Sequence, residues 1–179
     1  MTNVGAFGLI EPTRFGHCRG AENLDAGERK ALADIEQYGC HVIHVAAEDE
    51  LPPFSYSVGI QRRSGKPEVV VIGLKQSLAH FVVNEYNRRV QAGETFTPGE
   101  LYADFIEGFD ITFEQVGREF YREYFGWNRW LYGSPEFEVL QLVYPATDGV
   151  WPWRPDASEW FRAWQPILNS APVSNDKLP

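Results

Sequence analysis

The chain has 179 residues, a formal net charge of −9 and 44% hydrophobic residues. This length and composition are typical of one globular domain of roughly 100–200 residues. The negative charge repels nucleic-acid phosphates, so it argues against a DNA- or RNA-binding protein. No run approaches the ~20 consecutive apolar residues of a membrane helix, so we expect no membrane partner.

Cysteine usage is sparse, with Cys18 and Cys40 as the two thiols of the chain. Each stands alone in its segment, and Met1–Ile10 lacks the pattern of a signal peptide. We therefore expect reduced thiols in a cytoplasmic protein, with a single Cys18–Cys40 disulfide as the alternative.

The first half of the chain predicts a helix followed by three strands. Asp25 and Glu28 have the spacing of a capping box, and Gly39 stands where a left-handed C-terminal cap is expected. Short loops join the strands, so the simplest topology is an antiparallel meander. The predicted strands are Cys40–Ala47, Phe54–Ile60 and Glu68–Ile72.

The second half predicts two helices, two further strands and a final hairpin. We expect Ser77 to cap a helix that runs to Gln91 with an apolar stripe of Leu78, Phe81, Val82, Tyr86 and Val90. Residues 95–108 are expected to be less regular, with a turn at Pro98-Gly99. A strand over 110–116, a helix over 119–132 and a strand over 138–144 follow, and a turn at Asp148-Gly149 opens the hairpin. A short amphipathic segment over 158–168 comes last.

This order of elements predicts a single α+β domain over residues 1–170, with a mostly antiparallel sheet packed with about three helices. Gly and Pro at short intervals predict an irregular segment over 1–24. The composition of residues 171–179 predicts a disordered tail.

Several separated blocks of the sequence resemble a bacterial family known as domain of unknown function 4262, over about Asp25 to Asp156. The matching blocks include Tyr38-Gly39, Pro52–Tyr56, Leu140–Val143 and Trp151-Pro152-Trp153. Many members of that family carry Trp where this chain has Cys40, which puts in doubt a role for an indole there. The resemblance implies no activity. Fainter likenesses point to flavin-binding split barrels and to the suppressor-of-fused superfamily, whose bacterial members often serve as immunity proteins against toxins.

No established catalytic or metal motif is present. The chain lacks a G-x-S-x-G elbow, a phosphate-binding G-x-x-x-x-G-K loop, an H-E-x-x-H pair and a G-x-G-x-x-G loop. His41 and His44 fall on one predicted strand and therefore on opposite faces, so we expect no shared metal. His44 is either a buried, hydrogen-bonded core residue or an acid–base group. Catalytic residues and cofactor remain unknown from the sequence.

The most unusual feature is an aromatic stretch from Phe120 to Tyr132, whose apolar arc is wider than one packing face needs. It is either a large core contact or a pocket or partner surface. Trp151 and Trp153 lie on the same side of the chain if their segment is extended. Arg154 or Arg129 could then bind an anion or a carboxylate beside these rings. The candidate ligand- or partner-binding residues are His44, Tyr56, Tyr124, Trp127, Arg129, Trp130, Trp151, Trp153 and Arg154.

Two hypotheses of function follow. The first is a non-catalytic binding or interaction protein, immunity-like, with an acidic surface suited to a cationic partner. The second is an enzyme or carrier of the split-barrel type that holds a flavin or another planar molecule against the aromatic segments.

Overall fold

A computed structural model describes residues 23–49 and 51–170, and it places them around one six-stranded sheet. The two central strands run parallel, and all other neighbouring strands pair antiparallel. The fold is α+β, as expected. In sheet order the strands are β1 (His41–Val45), β2 (Phe54–Val58), β3 (Glu68–Ile72), β6 (Val139–Val143), β5 (Phe109–Gln115) and β4 (Leu101–Ile106).

Helices cover both faces of the sheet. In chain order they are α1 (Ala26–Tyr38), α2 (Ile60–Ser64), α3 (Gln76–Gln91), α4 (Tyr121–Tyr124), α5 (Gly126–Tyr132) and α6 (Glu159–Trp164), with a 3₁₀ turn over Arg118–Phe120. Among the described residues, α1, α3 and α5 are the three helices with at least seven residues. Most of the predicted irregular segment and all of the predicted tail, residues 1–22 and 171–179, lie outside the described ranges.

Strand β3 shows how the two layers are assembled. Side chains alternate across a strand, so Val69 and Val71 face α3 while Val70 and Ile72 face the opposite side, where α1, α4 and α5 pack. All four side chains are fully buried, which confirms the prediction of a strand covered on both faces. We call these two sides the α3 face and the α5 face.

The sequence signals around α1 are confirmed. Asp25 and Glu28 form a reciprocal capping box, and Gly39 adopts the left-handed conformation at the C-terminal end. The small side of β2, with Ser55 and Ser57, admits the close approach of α3. The strand ends before Ile60 because Gly59 turns left-handed, with φ +105°.

Helix α3 differs from its prediction at its start and on its buried side. The chain enters the helix at Lys75, which makes no side-chain cap, so Ser77 lies inside the first turn. Leu78 is 36% exposed and Phe81 54% exposed. The buried stripe is shifted toward smaller side chains because the helix lies close to the sheet; its hydrophobic members are Ala79, Val82, Val83, Tyr86 and Val90.

Three further expectations were wrong. The single helix over 119–132 is broken at Phe125, whose backbone (φ −117°, ψ 50°) leaves the helical region while its ring is fully buried. Residues 95–108, expected to be less regular, contain strand β4. The final hairpin is absent from the described residues, because Pro152 and Pro155 cannot donate to a ladder and the segment forms turns.

Candidate functional site

A cleft with a volume of about 490 Å³ opens at the carboxyl ends of β3 and β6. These are adjacent parallel strands. After β3 the chain enters α3 on one face, whereas after β6 it continues to Leu168 in the core cluster of the other face. In open α/β sheets, ligands bind in the crevice where the connections of neighbouring parallel strands diverge in this way. The cleft occupies the corresponding position in this mixed sheet.

Four segments wall the cleft, and most of the lining is apolar. They are the start of α3 with the residues before it, the tip of the β4–β5 hairpin, the chain after β6, and helix α6. Representative lining residues are Leu78, Ile106, Phe109, Tyr144, Phe161 and Trp164. A concave, largely apolar recess in the range of roughly 300–1,000 Å³ has the size of a small-molecule site.

Two stacked indoles form one wall of the cleft. The ring centroids of Trp160 and Trp164 lie 5.5 Å apart with an interplanar angle of 15°. The indole N–H of Trp164 donates to the carbonyl of Gly73 at 2.9 Å, which fixes that ring against the end of β3. Trp160 is 65% exposed, a large apolar surface left in water at the cleft. Tryptophans that present a flat face in this way are common anchors of binding sites.

Two buried glutamines hold α6 in place. The fully buried Gln165 accepts from the backbone N–H of Tyr144 at 3.0 Å and donates to its carbonyl at 2.9 Å. Gln141 on β6 donates to the carbonyl of Pro166 at 2.8 Å and accepts from the N–H of Leu168 at 2.7 Å. The wall is therefore tied to the sheet by paired amide hydrogen bonds.

Gly73 is required where β3 ends. Its φ is +85°, and a Cβ there would lie 2.7 Å from the Trp164 carbonyl and 2.7 Å from the Tyr144 hydroxyl. Only glycine fits both this backbone conformation and this close approach. The absence of a side chain lets α6 and the chain after β6 close the floor of the cleft.

The electrostatics of the cleft are simple. Among the lining residues that the structure describes, Lys75 is the one charged residue, and none is Asp or Glu. Within the described ranges, no carboxylate forms an ion pair with Lys75. Burial raises the pKa of Tyr144, so its hydroxyl stays protonated at neutral pH and donates to the Ile72 carbonyl at 3.0 Å.

The aromatic residues predicted from the sequence lie elsewhere, against the α5 face. Tyr56 is buried under Phe125, with ring centroids 5.4 Å apart, and burial raises its pKa to about 12. Tyr124, Trp127 and Trp130 are partly buried against the same core cluster. The wide aromatic arc therefore packs largely on the sheet and α1, while Arg129 points to solvent.

The other candidates do not join them in the cleft. Trp151 and Trp153 stack on each other at 5.0 Å in the turns that follow β6, and Arg154 accepts a hydrogen bond from Arg162 through its carbonyl. None of the nine predicted site residues lines the cleft. A second recess, of about 430 Å³, lies beside Tyr121 near the end of the described chain.

His44 lies on the α3 face, opposite His41, as the strand alternation predicted. Its Nδ1 is 2.7 Å from Ser55 Oγ, and its Nε2 is 3.2 Å from His80 Nδ1. Burial, followed by the charges of His80 and His41, lowers the pKa of His44. Ser55 is only 3% exposed, so its hydroxyl is not an accessible nucleophile for His44 to activate.

Metal and membrane sites were also sought in the described part of the chain. There, no group of three or more His, Cys, Asp and Glu side chains is arranged to hold a metal ion. No helix in these ranges is long and apolar enough to cross a lipid bilayer. Cys40 is a buried free thiol whose pKa burial raises to about 12; Cys18 lies outside the described residues.

The sequence missed the residues that build the cleft. Trp160 and Trp164 stand four positions apart behind the Ser158 cap, so their placement on one side of a short helix was readable from spacing. Gly73 and Lys75 gave no local signal, because only the tertiary fold brings them to α6.

Comparison with known proteins gives one match. The family model described as domain of unknown function (DUF4262) matches residues 34–158, more than half of the chain, and the chain belongs to this family. No curated protein and no solved structure matches it. The likenesses to suppressor-of-fused and split-barrel proteins gain no support and stay predictions, as do a bacterial source and a cytoplasmic location.

Proposed function

We propose that this member of the DUF4262 family is a non-catalytic binding protein that holds a planar, mostly apolar small molecule in the cleft at the ends of β3 and β6. The observation that carries this proposal is the pair of stacked indoles, Trp160 and Trp164, beside an apolar recess of ligand size. The proposal keeps the planar-ligand part of the second sequence hypothesis. It moves the site from the Phe120–Trp153 aromatics to α6.

Preorganisation supports this function. The glutamine bonds and the Trp164–Gly73 bond hold the wall against the sheet, so we expect little conformational entropy to be lost when a ligand enters. The ligand replaces water over Trp160, an exposed indole whose burial is favourable by the hydrophobic effect.

The shape of the ligand follows from the wall. A flat ring stacks on an indole at van der Waals distance, whereas a branched aliphatic molecule contacts it at few atoms. The described sheet is open, with β1 and β4 at its two edges, so it does not itself form a barrel around a flavin. The flavin ring system is therefore one planar probe among several.

A fluorescence titration tests the proposal. Purified protein is titrated with lumichrome, a planar alloxazine closely related to the flavin ring system, and with 2-naphthamide. We expect saturable quenching of tryptophan emission by at least one probe, lost in Trp160→Ala. Phe81→Ala is the matched control, because Phe81 is also exposed, at 54%, but does not line the cleft. Equal binding by both variants, or no saturable signal with either probe, overturns the proposal.

A second candidate is the interaction protein of the first hypothesis. The contact between His44 and His80 brings α3 against the end of β1, and the neighbouring Val45 and Phe81 are 38% and 54% exposed. The chain has a net charge of −9, so such a surface suits a cationic protein partner. An acidic immunity protein would bind a cationic toxin in this way.

Its test is affinity capture of a partner at low and high salt. A stoichiometric cationic partner that is released by salt and lost in Phe81→Ser supports this candidate. No stable partner at low salt contradicts it.

A further inference from the structure

The charge pattern of the cleft points to the class of ligand. We infer that the cleft takes a planar aromatic anion, an aromatic carboxylate, whose ring lies along α6 and whose charge meets the ammonium of Lys75. This inference rests on the proposed binding function of the same cleft.

The first step is the absence of acid from the lining. The chain has 25 Asp and Glu residues against 16 Lys and Arg, yet the cleft residues within the described ranges include no carboxylate and one cation. A cleft that binds a cationic or neutral ligand does not need a lining without carboxylates. For an anion, each nearby carboxylate costs affinity, because like charges repel most strongly beside apolar walls.

The second step is the state of Lys75. Its side chain is exposed, and no acidic partner holds it within the ranges that the structure describes. A lysine carries a compact charge on a flexible four-carbon stem, so its ammonium can meet a carboxylate at the mouth. The neighbouring Ser77 offers a hydroxyl on the same side.

The third step concerns the remaining polar group of the floor. The Tyr144 hydroxyl is already used by the Ile72 carbonyl, and it carries no charge near neutral pH. It therefore neither repels an anion nor competes for Lys75. An overall charge of −9 makes a local cation necessary for an anionic ligand.

The test compares two probes of nearly equal shape, 2-naphthoate and its neutral counterpart 2-naphthamide. Wild type should bind 2-naphthoate more tightly, by about 1.5- to fivefold, the range of an exposed ion pair. Lys75→Gln should abolish that preference, and Lys75→Arg should keep most of it. Arg63→Gln is the control, since it removes one exposed positive charge on α2, beyond the opposite end of the sheet.

The outcomes separate the two proposals. If neither probe binds saturably, the binding function itself fails. If both bind equally to wild type, or if Lys75→Gln leaves the preference for 2-naphthoate unchanged, the cleft is a binding site but its selectivity for anions is refuted. Loss of the preference in Arg63→Gln as well would assign it to net charge and overturn the role of Lys75.

Discussion

Gln165 is the side chain on which the cleft most depends. It is 0% exposed and bonds both backbone groups of Tyr144, with distances of 3.0 and 2.9 Å. Gln165→Ala removes both bonds and leaves an N–H and a carbonyl without their partner under a buried surface. Helix α6, which precedes Gln165 directly, then loses its tie to Tyr144, whereas the bonds from Gln141 to Pro166 and Leu168 remain.

The expected cost can be worked from these two bonds. Each contributes about 0.5–1.5 kcal/mol net, and a buried backbone group left unpaired costs about 1–3 kcal/mol. Because Tyr144 is only partly buried, water can reach part of its backbone in the variant, so we expect a total near 3 kcal/mol rather than the sum of the upper values. For a domain of this size that corresponds to a fall in Tm of roughly 6–12 °C.

Urea unfolding followed by circular dichroism measures this change in the free energy of unfolding. Gln37→Ala serves as the control, because Gln37 lies exposed on α1 and should change stability by less than about 0.5 kcal/mol. Gln165→Glu should lose stability near neutral pH, where its carboxylate faces the Tyr144 carbonyl, and regain part of it in acid. A Gln165→Ala variant as stable as the control would refute the role given to this residue.

Three further predictions follow from the same structure. Gly73→Ala should lower the free energy of unfolding by about 1–3 kcal/mol more than Gly65→Ala, because both glycines have positive φ but only Gly73 has atoms within 3 Å of the added Cβ; equal losses in urea unfolding would contradict it. The lowered pKa of His44 contributes stability that is present above about pH 6.5 and is lost as the pH falls from there through the folded pKa. His44→Gln should therefore flatten the decline in stability between about pH 7 and pH 5, and an unchanged slope would count against this assignment. Trp160→Ala should remove the exciton signal of the stacked indoles from the circular dichroism spectrum while changing Tm by less than about 2 °C, since the ring is 65% exposed; a large fall in Tm would show that the ring is structural.

Local signals were enough for most of the fold. The capping box at Asp25, the left-handed Gly39 and the unbroken β-branched run of β3 each depend on nearby residues, and each is confirmed. Strand alternation correctly separated His41 from His44. Such features are decided by backbone geometry and by the period of side chains, both of which are visible in a single sequence.

Features that depend on tertiary contacts were missed. The parallel pairing of β3 with β6 joins segments separated by about 70 positions, and no local pattern predicts it. The break at Phe125 occurs because its ring is buried against Tyr56 and Tyr121, which overrides helix propensity. The cleft depends on the first of these features, because it lies where the connections of β3 and β6 diverge, and its wall comes from a six-residue helix.

The aromatic content of the chain was noticed from the sequence, but the sequence left open which rings pack in the core and which are exposed. Trp127 and Trp130 stand in a conspicuous run, yet they pack with α1, β1 and β2 as part of the α5-face core. Trp160 lies in a less crowded segment and is the most exposed large hydrophobic residue among those the structure describes. Exposure, which the sequence does not show, separates Trp160 from the aromatic residues of the core, and it is the reason that our proposal places the ligand beside Trp160.

The most direct test of the cleft is fluorine NMR on protein labelled with 5-fluorotryptophan and titrated with 2-naphthoate. The chain has six tryptophans, and single Trp→Phe variants assign their signals. Binding in the cleft predicts saturable shifts of the Trp160 and Trp164 signals, with little change at Trp127, Trp130, Trp151 and Trp153. Saturable shifts confined to those last four signals, or no saturable shift at all, would contradict the assignment of the cleft as the binding site.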